Sequence, residues 1–267
     1  MPPASRLIGT FRYAVFFDGV DDYAVIEPFT VYGWSEITIV DYVYIYRPKP
    51  NTYWSKSNMI GDCWTQYAST GIYPYYTPDY TYIPAAWWTR KPDGTRAVYE
   101  YNIIAYVNQF AHVVRRFTTS REYSVYVNAV KVRSWIVPAN EITVLEQNPD
   151  TATYPERYRR FTIGANVLFF EYLKLMQYQL LIYSRALSDE ETLWNYRYPD
   201  SPVRNGLVLW LQAHPDNIKD IDGDGRLEWV DLSGYGNHGK IYGATLVEVI
   251  KAPSRVLAPS RILPPAR

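Results

Sequence analysis

Apolar and polar residues alternate in short runs along most of the chain, which is the pattern of half-buried β-strands. The strongest run is EITIVDYVYIY at residues 36–46, whose apolar face carries a single carboxylate, Asp41. Pro48 and Pro50 end this run, because proline cannot donate to a strand ladder. Other strands are predicted over residues 13–17, 23–26, 98–107, 111–117, 123–127, 130–136, 161–165 and 173–183.

One helix is predicted, and it begins after Ser188. Glu191 follows three residues later and completes a capping box, while further acidic residues fill the first turn, where the helix dipole favours them. The helix is predicted to end near Tyr196. About ten to fourteen short strands with turn signals between them and one helix predict an all-β fold, a two-sheet antiparallel sandwich or jelly roll.

Residues 11–26 are predicted to form a hairpin. Its strands, 13–17 and 23–26, flank the turn DGVDD at residues 18–22. The pair Asp18-Gly19 supplies the positive φ that a tight turn needs.

Residues 51–97 are dense in Tyr and Trp and are broken by Pro and Gly, so we expect an insertion of long loops and edge hairpins. Two interpretations stay open. The rings can pack over one another and close one end of a sheet, or exposed rings can stack on sugars. The candidate sugar-stacking residues are Trp54, Trp64, Trp87 and Trp88.

Composition adds limits to this picture. Apolar residues make up 48% of the chain, enough for a core, and 27 basic residues balance 27 acidic ones. The net charge therefore favours neither nucleic acid nor an acidic membrane. The single Cys63 excludes an intrachain disulfide framework. We expect no membrane span, and the N-terminus lacks a signal-peptide pattern, so either export is unusual or this is a mature form.

Several segments in order resemble the laminin-G-like members of the concanavalin A-like lectin/glucanase superfamily. The segments are AVFFDGVDDYAVI, ITIVDYVYIYRP, FAHVVRRF followed by YSVYVN, FTIGAN and LIYSRALSDEE. The resemblance covers residues 11–47 and 98–196. It implies a concanavalin A-like jelly roll of two antiparallel sheets over 11–198, and a role in binding glycans or proteins.

Residues 206–244 also resemble a family segment, but one that precedes FDGVDDY in many members. Here it lies near the chain end, within a strand and acidic-loop segment at 199–250. It is expected to close its own domain, to begin a second truncated domain, or to insert into a neighbouring subunit. Residues 1–10 and 251–267 are predicted to be terminal arms.

The acidic loop DIDGDG is the strongest chemical signal. Carboxylates at its first, third and fifth positions with Gly225 at the sixth follow the order of a calcium loop of EF-hand type. The alternative is an acidic surface turn without an ion. The predicted ligands of a structural Ca²⁺ are Asp220, Asp222, Asp224, the Arg226 carbonyl, Glu228 and Asp231.

The resemblance implies a second metal site to which Asp18, Asp21 and Asp22 contribute. Two departures weaken it, because Asn128-Ala129 replaces an Asp-Gly pair and Tyr178-Gln179 replaces an Asp-Glu pair. A metal-dependent glycan site is therefore in doubt.

No enzyme motif is found. The closely spaced carboxylates of the glycosidase relatives are missing, and His112, His214 and His238 lack metal-ligand spacing. We expect a non-enzymatic protein.

Two functions are expected. The first is a structural subunit of a virion or extracellular filament, assembled with copies of itself through exchanged arms or strands. The second is a lectin-like adhesion module that binds cell-surface glycans. Both place the protein outside the cell or on a virion surface, and prolines in loops suggest a hot habitat.

Overall fold

The computed structural model describes residues 11–47, 57–61, 68–72, 82–146, 159–166 and 171–249, with only the backbone of 57–61. Two antiparallel sheets pack face to face, and one helix lies outside them. The strands are β1 Tyr13–Phe17, β2 Tyr23–Ile26, β3 Ile37–Ile45, β4 Ser57–Gly61, β5 Ser69–Ile72, β6 Pro84–Arg90, β7 Arg96–Asn102, β8 Phe110–Phe117, β9 Glu122–Val127, β10 Val130–Ile136, β11 Phe161–Ile163, β12 Leu175–Tyr183, β13 Leu207–Gln212, β14 Ile218–Lys219, β15 Glu228–Trp229, β16 Gly239–Tyr242 and β17 Thr245–Glu248.

Sheet A has the strand order β10-β9-β8-β3-β12-β1-β17, with β13 paired to β12 as well. The first half of β12 pairs with β1 and the second half with β13, so these two strands share one side of β12. Sheet B has the order β14-β15-β16-β2-β11-β4-β5-β6-β7. The predicted two-sheet antiparallel jelly roll with one helix is confirmed.

The predicted hairpin over residues 11–26 is wrong, although the bounds of its two strands are right. β1 lies in sheet A and β2 in sheet B, so the turn 18–22 crosses from one sheet to the other. Asp-Gly chemistry supplies the turn, but it does not determine which strand becomes the hydrogen-bonding partner.

The segment near the chain end completes the sheets of its own chain. β13 pairs with β12, β16 pairs with β2, and β17 pairs with β1. Of the three expected outcomes, closure of its own domain is therefore the one that the structure contains. The terminal arms, residues 1–10 and 251–267, lie outside the described residues.

The core between the sheets is apolar, as the alternation predicts. Trp87 from sheet B stacks on Phe117 from sheet A, with ring centroids 4.8 Å apart and planes 6° from parallel. Asp41, the carboxylate on the apolar face of β3, meets Arg115 at 3.1 Å, and both side chains are completely buried. A buried ion pair between neighbouring strands of sheet A, β3 and β8, thus accounts for the polar interruption in the strongest strand.

The helix α1, Asp189–Arg197, covers the outer face of sheet A. Its capping box is present, because Ser188 Oγ accepts from the Glu191 amide and the Glu191 carboxylate accepts from the Ser188 amide. Asn195 fixes the helix to the sheet, since its side-chain amide donates to Tyr183 Oη at 2.9 Å. α1 therefore covers part of the outer face of sheet A and presents its own far side to solvent.

Candidate functional site

The acidic loop joins β14 to β15 at the edge of sheet B. Asp220 accepts amide hydrogen bonds from Gly223 at 2.7 Å and Gly225 at 2.9 Å, which close the loop around its first carboxylate. The Asp222 and Asp224 carboxylates each accept one amide two residues on, at 3.2 and 2.9 Å. The three carboxylates come within 4.8 Å of one another, as the calcium-loop pattern predicts.

The ammonium group of Lys240 binds two of these three carboxylates. Its Nζ is 2.9 Å from Asp222 Oδ2 and 3.2 Å from Asp224 Oδ2. The hydrogen bond from Lys240 lowers the pKa of Asp222 below its usual range, and the two bonds raise the pKa of Lys240. The chain therefore supplies a cation of its own to this loop.

Of the remaining predicted ligands, Glu228 and Arg226 lie at the loop. Glu228 is buried and faces the loop, because its Oε2 accepts from the Ile221 amide at 2.7 Å and its Oε1 is 3.8 Å from Lys240 Nζ. The Arg226 amide donates to Asp224, and its guanidinium lies over the Tyr242 ring at 5.5 Å.

Asp231 lies elsewhere and has a structural role. Its two carboxylate oxygens accept hydrogen bonds from the Trp210, Ser233 and Asn237 amides at 2.9–3.0 Å. These bonds hold the turn after β15 against β13. The twelfth position of the expected calcium loop is therefore not directed at the other carboxylates.

Asp18, Asp21 and Asp22 also converge within 4.8 Å, on the turn between the two sheets. Asp22 is only 8% exposed, and its Oδ2 accepts from the Asp18 amide at 2.8 Å. Burial raises the pKa of Asp22, and the charges of Asp18 and Asp21 add to the increase. Within the described part of the chain, no ion pair reaches these three carboxylates.

A stacked tyrosine pair separates the two acidic segments. The rings of Tyr23 and Tyr242 have centroids 4.5 Å apart and planes 11° from parallel. Tyr23 follows Asp22 and pairs in register with Tyr242, which precedes Gly243. One end of sheet B therefore carries both acidic segments with aromatic rings between them.

The two departures from the family pattern have structural roles here. Asn128 and Ala129 both have positive φ and form the turn between β9 and β10, and Asn128 Oδ1 accepts from the His112 amide. Tyr178 packs against Phe11 and Phe110, and Gln179 donates to the Pro199 carbonyl.

The predicted sugar-stacking tryptophans do not form an exposed platform where the structure describes them. Trp87 is completely buried in the core, and Trp88 is 7% exposed beneath the guanidinium of Arg96. The expectation for Trp87 and Trp88 is therefore wrong, because both rings pack within the protein. Trp54 and Trp64 lie outside the described residues.

An exposed pair of rings lies instead on α1 and was missed in the sequence. Trp194 is 48% exposed and Tyr198 is 49% exposed, with their ring centroids 4.4 Å apart. Trp194 Nε1 donates to the Ser201 carbonyl at 2.9 Å, which fixes the orientation of the indole. The spacing of four residues was the available signal, since it places both rings on one face of a helix that continues past its predicted end near Tyr196, to Arg197 with Tyr198 as its C-cap.

Polar groups accompany this pair, which we call the α1 aromatic ledge (Trp194 and Tyr198). Asp200 lies in the turn that follows Tyr198, and its Oδ1 accepts from Gln212 Nε2 at 2.7 Å. Partial burial raises the pKa of Asp200. The α1 aromatic ledge thus offers two exposed ring surfaces, and a carboxylate lies two residues after Tyr198 in sequence.

The three histidines lie apart from one another. His112 is buried under α1, His238 Nδ1 accepts from the Asp231 amide, and His214 Nδ1 accepts from the Asp216 amide. Among the described residues, they join no cluster of metal-binding side chains. No helix in that part of the chain is long and apolar enough to cross a membrane.

Comparison with known proteins identifies the fold. No protein-family model matches the chain, and no curated protein matches it. A proposed carbohydrate-binding protein from Bacteroides ovatus superposes with a TM-score of 0.60 at 15% identity, over 90% of this chain and 61% of that one. The chain thus spans about three fifths of that protein. At this identity the likeness establishes the lectin-like jelly-roll fold.

Two other similar structures have lower scores. The binding domain of botulinum neurotoxin serotype D gives a TM-score of 0.49 at 12% identity, over 69% of this chain and 42% of that one. A heptameric pentraxin from Limulus polyphemus gives 0.45 at 10% identity, over 69% of this chain and 82% of that one.

Proposed function

We propose that this protein is a lectin-like module that binds carbohydrate without catalysis, outside the cell. The Bacteroides ovatus protein of the same fold is described as carbohydrate-binding, which supports this class of ligand. The observation that carries the proposal is the α1 aromatic ledge. Flat aromatic faces match the apolar faces of pyranose rings, and two exposed rings in contact provide such a surface.

The hydrogen bonds at the α1 aromatic ledge favour ligand binding over catalysis. The indole N–H is already bonded to the Ser201 carbonyl, so the ring faces and edges of Trp194 are what a ligand meets. Asp200 supplies an acceptor for sugar hydroxyls. Glu191, a carboxylate on the same helix, is occupied by Arg185 at 2.6 Å and by the capping box. Because the Trp194 indole N–H and the Glu191 carboxylate already have partners within the protein, they support binding without bond cleavage.

A structural calcium ion is a second candidate ligand, and the acidic loop could take it only where Lys240 has been displaced. Hard oxygen donors from Asp220, Asp222, Asp224 and Glu228 have the chemistry that Ca²⁺ prefers. The ion would neutralise these carboxylates and stiffen the loop. Since Lys240 holds the same carboxylates in this structure, the ion has to compete with an ammonium group.

The other expected function, a structural subunit joined by exchanged strands, has less support. The strands over residues 206–249 complete the sheets of their own chain, so they are not free for a neighbour.

Substitution of the ledge tests the carbohydrate proposal. A glycan array first identifies a ligand for the unaltered protein. Trp194→Ala and Tyr198→Ala should each weaken its binding about fivefold, because one stacked ring contributes about 1 kcal/mol. Calorimetric titration measures the affinity, and thermal melting checks that each variant is folded.

Tyr235→Ala is the matched control, because Tyr235 is an exposed aromatic residue distant in sequence from α1. Its affinity should equal that of the unaltered protein. An array without any hit, or ledge variants that bind as well as the control, would contradict the proposal.

A further inference from the structure

Lys240 reaches the acidic loop because of strand register. It pairs with Glu228 of β15 on one side and with Val25 of β2 on the other. Ile241, the next residue, packs in the core between the sheets, so Lys240 must point to the outer face of sheet B. The acidic loop closes over that same face, since buried Glu228 belongs to both the strand and the loop surroundings.

The ammonium group matches the charge and position of a bound cation. It lies within 3.2 Å of two carboxylates and 3.8 Å from a third. Three carboxylates, those of Asp222, Asp224 and Glu228, lie within 3.8 Å of this one positive charge, so without Lys240 these three negative charges would lose their ion pairs. Like charges at this spacing repel one another and would open the loop.

Calcium does not fit this arrangement as it stands. The oxygens of Asp222 and Asp224 that point to the centre are both bonded to Lys240. The carboxylate expected at the twelfth position, Asp231, is fully engaged elsewhere. An ion would have to displace the ammonium group and would then find one ligand fewer than the sequence pattern predicts.

We infer that Lys240 is a tethered counter-cation of the acidic loop. Its ammonium group keeps the loop closed without calcium. While that group is bound to the carboxylates, it excludes divalent ions. The inference bears on the proposed calcium ion and does not depend on carbohydrate binding. It makes the loop conformation a property of the chain itself, independent of the calcium concentration around it.

Lys240→Met tests this role, since methionine keeps much of the apolar stem and removes the charge. Lys219→Met is the matched control, because Lys219 also pairs with Glu228 in register but forms no ion pair with the described residues. Thermal melting in EDTA and in calcium is measured for both variants and the unaltered protein. Calcium affinity is measured by calorimetry.

The unaltered protein should melt at the same temperature in EDTA and in calcium. Lys240→Met should melt a few degrees lower in EDTA, recover in calcium, and bind calcium about tenfold or more tightly than the unaltered protein. Lys219→Met should show neither effect.

Other outcomes distinguish the counter-cation role of Lys240 from the proposed calcium ion. A Lys240→Met variant that melts in EDTA like Lys219→Met would overturn the counter-cation role. Calcium that binds Lys240→Met and the unaltered protein with the same measurable affinity would also overturn it. If Lys240→Met is destabilised in EDTA but binds no calcium, the counter-cation role stands and the proposed calcium ion is wrong.

Discussion

The two acidic segments of this protein are alike in sequence and differ in how their charge is compensated. Each gathers three aspartates within five residues, and in each the carboxylates come within 4.8 Å of one another. The loop at 220–224 is exposed and holds the ammonium of Lys240. The turn at 18–22 has a buried Asp22 whose pKa is raised, and it has no ion pair in the part of the chain described.

The difference comes from residues distant in sequence. Lys240 enters the loop because β16 pairs with β15. A lysine also lies beside the turn, since a Cβ on Gly19 would be 2.7 Å from the Lys174 amide nitrogen. The Lys174 ammonium, however, lies over the Tyr46 and Phe16 rings at 5.0 and 5.4 Å. Acidic clusters of equal density can therefore either bind an ammonium group of their own chain or, among the described residues, form no ion pair.

A glycine substitution should separate the two segments most strongly. Gly243 has a φ of 77°, and a Cβ there would lie 2.1 Å from Asp22 Oδ1. Gly243→Ala should lower the free energy of unfolding by about 2–4 kcal/mol, from backbone strain and the displacement of a buried carboxylate. Denaturant unfolding measures the loss.

Gly225→Ala is the counterpart in the loop. Gly225 has a φ of 84° but no neighbouring atom within 4 Å of an added Cβ. Backbone strain alone should lower the free energy of unfolding by about 1–2 kcal/mol. Equal losses for the two variants would remove the structural difference claimed between the segments.

His112 lies outside both acidic segments and should make the folded protein less stable in acid. This loss is the background for the pH effects expected in the two segments. It is completely buried between the Tyr42 and Tyr196 rings, and burial lowers its pKa to about 3. The unfolded chain therefore binds a proton that the folded chain rejects, and stability falls as the pH drops below 6.5. The loss should be about 2–3 kcal/mol by about pH 4.5.

His112→Phe keeps a ring in this position and removes the titration. Its free energy of unfolding, measured by urea titration at several pH values, should change less below pH 6.5 than that of the unaltered protein. Parallel pH profiles for the two proteins would show that His112 does not titrate on unfolding.

The smallest effects should have opposite signs in the two segments. The pKa of Asp22 is raised in the folded protein, so its ionised form opposes folding above the pH at which it titrates. The pKa of Asp222 is lowered, so its ionised form supports folding above its unfolded pKa of about 3.8, and this support is lost as the pH falls.

At pH 7, Asp22→Asn should therefore raise the melting temperature by about 1–2 °C, and Asp222→Asn should lower it by a similar amount. The Asp22→Asn difference should shrink near pH 3, where the Asp22 carboxyl group is protonated, and the Asp222→Asn difference should begin to shrink as the pH falls below the unfolded pKa of about 3.8. Calorimetric melting at the two pH values measures them. Melting-temperature shifts of the same sign for the two variants would contradict the opposite pKa shifts of Asp22 and Asp222.

Local elements of the fold could be predicted from the sequence, because their causes are local. The alternation in residues 36–46 gives β3, and Ser188 with Glu191 gives the start of α1. The partners of these elements could not be predicted. Turn residues 18–22 reveal a change of direction, but they contain nothing that assigns β1 and β2 to different sheets.

The candidate sites show the same limit. The convergence of Asp220, Asp222 and Asp224 follows from a spacing within one loop, and it was predicted. The approach of Lys240 depends on the register of two strands, and the burial of Trp87 depends on the opposite sheet. The Trp194–Tyr198 contact, in contrast, has a local cause, since the two residues lie one helical turn apart.

The most direct measurement locates the carbohydrate on the protein. The indole N–H resonances of the tryptophans are followed by two-dimensional NMR during titration with the best glycan from an array, and Trp194→Phe assigns the Trp194 signal. Carbohydrate binding at the α1 aromatic ledge should give a saturable shift of the Trp194 resonance, with the buried Trp87 and Trp229 signals unchanged. A titration that shifts other indole signals and leaves Trp194 in place would contradict it.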